Sequence, residues 1–141
     1  MYASERKAPA SELELARVLL VNNDLTSRLA LKAVLEAGGY MVDAAGSAAE
    51  AVDKLDNRQY ELVVSDLQKD APEAGLHVLA HARLMDYEPA TAILTISQHP
   101  RPDHEQAVLV KSEDVPDLLG TVADLISKRA ARIVAGQLKE Q

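Results

Sequence analysis

Arg17-Val-Leu-Leu-Val21, followed at once by Asn22-Asn23-Asp24, is the stretch on which the fold turns. A continuous apolar run that ends in turn residues describes a strand buried on both faces which then leaves its sheet. The pattern returns in Leu62-Val-Val-Ser65, stopped at Asp66, and in Ala92 to Ile96. Helix-period segments lie between. Leu31, Val34 and Leu35 share one side of a helix with Arg28, Lys32 and Glu36 on the other, and Gly38-Gly39 is placed to end it. Tyr40 to Ala44 is a short second strand, and Ser47 with Glu50 reads as a capping box opening a second helix whose Ala48, Val52 and Leu55 face inward. The spacing predicts a third helix over Gly75 to Met85, a short fifth strand over Val108 to Val110, and a last helix from near Asp114 to about Gln137. Pro100 and Pro102 disfavour a full helix in the link Gln98 to Gln106. Strands alternating with helices are the signature of an α/β parallel sheet.

Composition narrows the function classes. A chain of 141 residues, 48% hydrophobic and 26% charged, fits one core, and without Phe or Trp that core is built from Leu, Val, Ile and Ala. The net charge of −7 argues against direct nucleic-acid binding, which needs clustered Lys and Arg. The chain has no Cys, so thiolate chemistry and disulfides are excluded together. Met1 to Ala16 carries no apolar targeting segment, and no run approaches a membrane span, so a cytoplasmic location without membrane insertion is expected. The expected division is a flexible arm at 1–16, a domain at 17–127 and a helical extension at 128–141.

In an open parallel sheet, ligands bind beyond the carboxyl ends of the strands, where strand order reverses. The polar residues at those ends are Asn22, Asn23 and Asp24 after the first strand, Asp66 after the third, Thr95 in the fourth and Lys111 after the fifth. A strand order of 2-1-3-4-5 brings these positions to one pocket. Asp66 could instead satisfy backbone donors in a turn, Asn22 and Asn23 are good turn residues, and Thr95 is also an ordinary β-branched strand residue. His77 and His81 lie four apart on one helix, but without a third ligand an exposed helical surface is the better expectation.

These residues resemble, over about 17–127, the receiver domains of bacterial two-component response regulators. The resemblance rests on Arg17-Val-Leu-Leu-Val-Asn-Asn-Asp with Arg28, on Tyr60-Glu-Leu-Val-Val-Ser-Asp66, on Gly75 at the start of the third helix, on Ile93-Leu-Thr95 and on Lys111. It implies a flavodoxin-like, doubly wound sheet of five parallel strands, here with a shortened fourth helix and an extended C-terminal one. It also implies that Asp66 accepts a phosphoryl group from a sensor histidine kinase or phosphotransfer protein, with Thr95 and Lys111 holding the phosphoryl oxygens. The chain would then be a signalling acceptor and not an enzyme.

Several positions depart from that pattern. Asn22 and Asn23 stand where the family carries an acidic pair, so a Mg²⁺ site formed from Asn23, Asp24, Asp66 and Gln68 is expected to be weak or absent. Lys69-Asp70 replaces the usual Met-Pro, Gly75 falls one residue late, and Val108 occupies the aromatic switch position. Two alternatives follow. One is a phosphorylation-independent pseudo-receiver that binds protein partners. The other is a nucleotide-binding flavodoxin-like enzyme, against which stand the lack of glycine in Asn22 to Ser27 and of any phosphate-binding fingerprint.

The last helix adds a separate expectation. Val115 to Gln137 would span about 34 Å, against ~17–20 Å for a typical strand. Leu118, Leu119, Val122, Leu125 and Ile126 can cover the sheet, whereas Ile133, Val134 and Leu138 lie past it and call for a homodimer contact or a docked partner.

Overall fold

Strands and helices alternate along the chain, and a computed structural model describes residues 16–66, 72–95, 107–110 and 115–139. The elements are β1 (Arg17–Asn22), α1 (Leu25–Ala37), β2 (Met41–Ala45), α2 (Ala48–Asn57), β3 (Leu62–Asp66), α3 (Pro72–Arg83), β4 (Ala90–Thr95), β5 (Ala107–Val110) and α4 (Val115–Lys139). All strand pairs are parallel, in the order β2-β1-β3-β4-β5. The order reverses between β1 and β3, where the register sets Asn22 opposite Asp66. The two residues that end these neighbouring strands therefore meet at the switch point.

Alternation along the strands divides the core in two. Val18, Leu20, Val42, Leu62, Val64, Ala92 and Leu94 meet Leu31 and Leu35 of α1 and Leu118 and Val122 of α4. Leu19, Val21, Ala45, Val63 and Ile93 meet Ala51 and Leu55 of α2 and Val78, Leu79 and Ala82 of α3. Both faces of the sheet are thus covered, which is why β1 and β3 read as unbroken apolar runs. At the end of α1 a Cβ on Gly38 would come within 2.7 Å of the tip of the Leu119 side chain, which would have to turn aside, and Gly39 turns the chain with φ +100°.

Some boundaries differ from the sequence expectation. Helix α3 begins at Pro72 and not at Gly75, which lies buried one turn inside it. Pro needs no amide partner at the first helical position, and Glu73 adds favourable charge to the first turn. Strand β4 begins at Ala90, two residues early, because the Ala90 amide donates to the Glu61 carbonyl and starts the ladder there. Helix α4 runs on to Lys139. The link Gln98 to Gln106, where a shortened helix was expected, and the N-terminal arm through Leu15 lie outside the described residues.

Candidate functional site

Asn22 closes β1 with its side chain turned inward, and at 2% exposure it is one of two buried polar residues among those described. Its Nδ2 donates to Asp66 Oδ2 at 3.0 Å and to Ser27 Oγ at 3.0 Å. Its Oδ1 accepts from the Asp24 amide at 2.8 Å. The amide cannot be turned over, since that would set oxygen against carboxylate and an NH₂ against a backbone N–H. Asn22 therefore presents a donor to Asp66.

The loop that follows is held by its own side chains. Asp24 is the N-cap of α1, where its Oδ2 accepts from the Ser27 amide at 2.8 Å. Arg28, one turn into α1, donates from its guanidinium to the Asn22 carbonyl at 2.8 Å. The same guanidinium lies 3.0 Å from where a Cβ on Gly46 would stand, so it packs against the turn before α2. Ser47 caps α2, with the Glu50 amide donating to its Oγ at 3.2 Å and the Gly46 amide donating to Glu50 Oε1 at 2.9 Å.

Asp66 ends β3, half-buried, beside the loop that follows β1. Its neighbour Ser65 points to the other side of the sheet, where its buried Oγ has no hydrogen-bond partner among the described residues. Thr95 ends β4, next to β3 in the sheet, but its side chain lies outside the described residues, as do Gln68 and Lys111. Asn23 is exposed at the rim. His77 is exposed on α3, while His81 Nε2 lies 2.8 Å from Asp56 Oδ1, tying α3 to α2.

Asn22 turns its nitrogen and not an oxygen toward Asp66, so this residue does not fit a Mg²⁺ ligand there. The ion needs oxygen ligands in near-octahedral array. Here the Asn22 oxygen is taken by the Asp24 amide, its nitrogen faces Asp66, and one oxygen of Asp24 caps a helix. No group of three or more His, Cys, Asp or Glu able to hold a metal occurs among the described residues. No described helix is long and apolar enough to cross a membrane.

Sequence reasoning placed Asn22 at the site as a turn residue or metal neighbour and missed its bond to Asp66. The parallel register supplies that contact, and register is not visible in either strand alone.

The family model for the response regulator receiver domain matches residues 18–128. Among solved structures, the response regulator protein TrrA from Thermotoga maritima, in complex with Mg²⁺–BeF, is 30% identical with a TM-score of 0.66, covering 78% of this chain and 98% of that one. A complex of the histidine kinase ThkA with TrrA matches at 29% identity and a TM-score of 0.67, covering 78% of this chain and 97% of that one. The chemotaxis response regulator CheY4 of Vibrio cholerae, at 22% identity, shares the fold with a TM-score of 0.67, covering 79% of this chain and 98% of that one. Comparison with curated proteins gave no match.

Proposed function

The chain belongs to the response regulator receiver domain family, and from that membership we propose that it accepts a phosphoryl group on Asp66 with little dependence on Mg²⁺. The observation that carries this is the 3.0 Å hydrogen bond from Asn22 Nδ2 to Asp66 Oδ2. Two carboxylates side by side would repel unless a cation lay between them. An amide at position 22 holds Asp66 with a charge-assisted hydrogen bond instead. The donor would be a histidine phosphorylated on one ring nitrogen and protonated on the other. Its P–N bond breaks, a P–O bond to the Asp66 carboxylate forms, and neutral imidazole leaves. Thr95 and Lys111 would hold the phosphoryl oxygens, as the resemblance implies.

A partner surface adjoins the site. Leu25 and Leu29, one turn apart on α1, are 59% and 56% exposed beside the Asn22 to Asp24 loop. Apolar side chains at that spacing suit a helix of a histidine kinase or phosphotransfer protein that brings its histidine to Asp66. The chain then acts as a cytoplasmic signalling acceptor and not as an enzyme.

The Asn22 bond also favours a second reading, a pseudo-receiver that binds partners without phosphorylation, because Asp66 is already engaged. Incubation with acetyl phosphate, with Mg²⁺ or with chelator, followed by intact mass, separates the two. The proposal expects one phosphoryl adduct in both conditions, lost in Asp66→Ala. Labelling of the Asn22→Asp/Asn23→Asp double variant but not of the parent would overturn it in favour of the pseudo-receiver.

A further inference from the structure

Helix α4 outruns the sheet it covers. Its 25 residues span about 37 Å, whereas the 6 residues of β4 span about 20 Å. Leu118 and Val122 are buried in the core, with Leu119, Leu125 and Ile126 packed against it. One turn further, the Arg129 guanidinium donates to the backbone carbonyls of Tyr87 and Glu88, pinning the helix to the loop after α3. Past this anchor Ile133 is half-buried, while Val134 and Leu138 are 52% and 65% exposed.

The side of α4 turned away from the core is equally unusual. Gly120, Ala123, Ser127, Ala131, Val134 and Leu138 follow one another at steps of three or four and are all exposed, so they form one line along the helix. A surface helix ordinarily carries charge on this side; here the line has none. Glycine within a helix costs about 1 kcal/mol relative to alanine. A Cβ at Gly120 would meet nothing within 4 Å, so packing inside the chain gives no reason for it.

The charges that flank the line identify what covers it. Asp117 and Asp124 lie 11 and 4 residues before Lys128, and Arg132 and Lys139 lie 4 and 11 residues after it. An antiparallel copy of the same helix, related by a two-fold axis near Lys128, brings each acidic position of one copy to a basic position of the other. A parallel two-fold copy would put these positions on opposite flanks of the contact, where they do not meet, whereas in the antiparallel one only Lys128 faces its own kind. The same antiparallel arrangement brings Leu138 of each copy to within about 3 Å, along the helix axis, of the level of Gly120 of the other. Asp124 and Lys128 pair within one helix at 3.1 Å, but both are well exposed, so that pair is weak and does not compete strongly.

We propose that α4 is a homodimerisation surface, paired antiparallel with α4 of a second copy. Small residues at the crossing allow the axes to approach closely, and the two sheets lie on opposite outer sides. The contact is isologous, as closed two-fold dimers require.

Sedimentation velocity on the full chain over a range of concentrations tests this, together with oxidative cross-linking. The chain lacks Cys, so Ser127→Cys, near the two-fold axis, should cross-link efficiently, and Arg83→Cys on exposed α3 should not. Leu138→Asp should weaken association about tenfold or more. Asp124→Lys should weaken it as well, and adding Arg132→Asp should restore it. A monomer at all concentrations, equal cross-linking of both cysteine variants, or no effect of Leu138→Asp would overturn the proposal. Asp66→Ala leaves the dimer unchanged, so this test stands or falls apart from phosphorylation.

Discussion

Asp43 and Asp66 both belong to the sheet, but their described surroundings differ, one carboxylate lying among cations and the other beside a neutral amide. Asp43, in β2, reaches toward the amino ends of the strands. Its Oδ2 accepts from the Tyr60 hydroxyl at 2.8 Å and lies 3.3 Å from Arg58 and 3.8 Å from Arg17. Two guanidinium groups and a phenol on one carboxylate oxygen more than offset its charge within the chain. Asp66, at the carboxyl end of β3, meets the neutral amide of Asn22. The hydrogen bond from this amide fixes the carboxylate in place and brings no charge of its own. At the amino-terminal end Asp43 joins three side chains, and at the carboxyl-terminal end the Asn22 amide positions Asp66.

The largest effect that would break this contrast is expected at Asp43. Asp43→Ala leaves the hydroxyl of the buried Tyr60 without its acceptor and both arginines without their carboxylate. It should cost about 2 kcal/mol in urea unfolding, most of it from Tyr60, since partly exposed ion pairs contribute little. A cost near zero would mean that the cluster is decoration.

A smaller effect is expected at Tyr60 itself, where Tyr60→Phe keeps the packing and loses one hydrogen bond, about 1 kcal/mol. It also sharpens the contrast through pH. Burial, then the hydrogen bond to Asp43 and its charge, push the Tyr60 hydroxyl above the ordinary phenol range. Burial and the nearby Asp56 and Asp86 push Tyr87 up to about 12. A folded-state pKa raised above the unfolded value of 10.0 gives stability that is complete below that pH and is lost as pH rises toward the folded value. Thermal melts of the parent should therefore fall as pH climbs past 10.0, and Tyr60→Phe should fall less steeply. Equal slopes would show that Tyr60 does not carry the linkage.

Much of this was legible in the sequence, for identifiable reasons. The run at Arg17 to Val21 and the run at Leu62 to Ser65 mark strands covered on both faces, and Asp66 after the second marks the carboxyl end where a site forms. Ser47 with Glu50 announced the start of α2. The start of α3 was misplaced because Gly75 was weighted by family spacing, although Pro72-Glu73 carried the local signal. Asp43 and the pairing of Asn22 with Asp66 were not legible, because both depend on which residues parallel strands set side by side. Asp24, read from the sequence as a candidate metal ligand, also caps α1 through one of its oxygens, a role that the residue type alone did not single out.

The central claim, that an amide at position 22 stands in for a metal-holding acid, is tested most directly by Asn22→Asp in thermal unfolding with and without Mg²⁺. Without metal, the variant should melt below the parent, because a second carboxylate then faces Asp66 across about the present 3.0 Å. Added Mg²⁺ should recover the variant by binding its folded state and should move the parent far less. A parent that gains as much from Mg²⁺ as the variant, or a metal-free variant that melts no lower than the parent, would contradict the account.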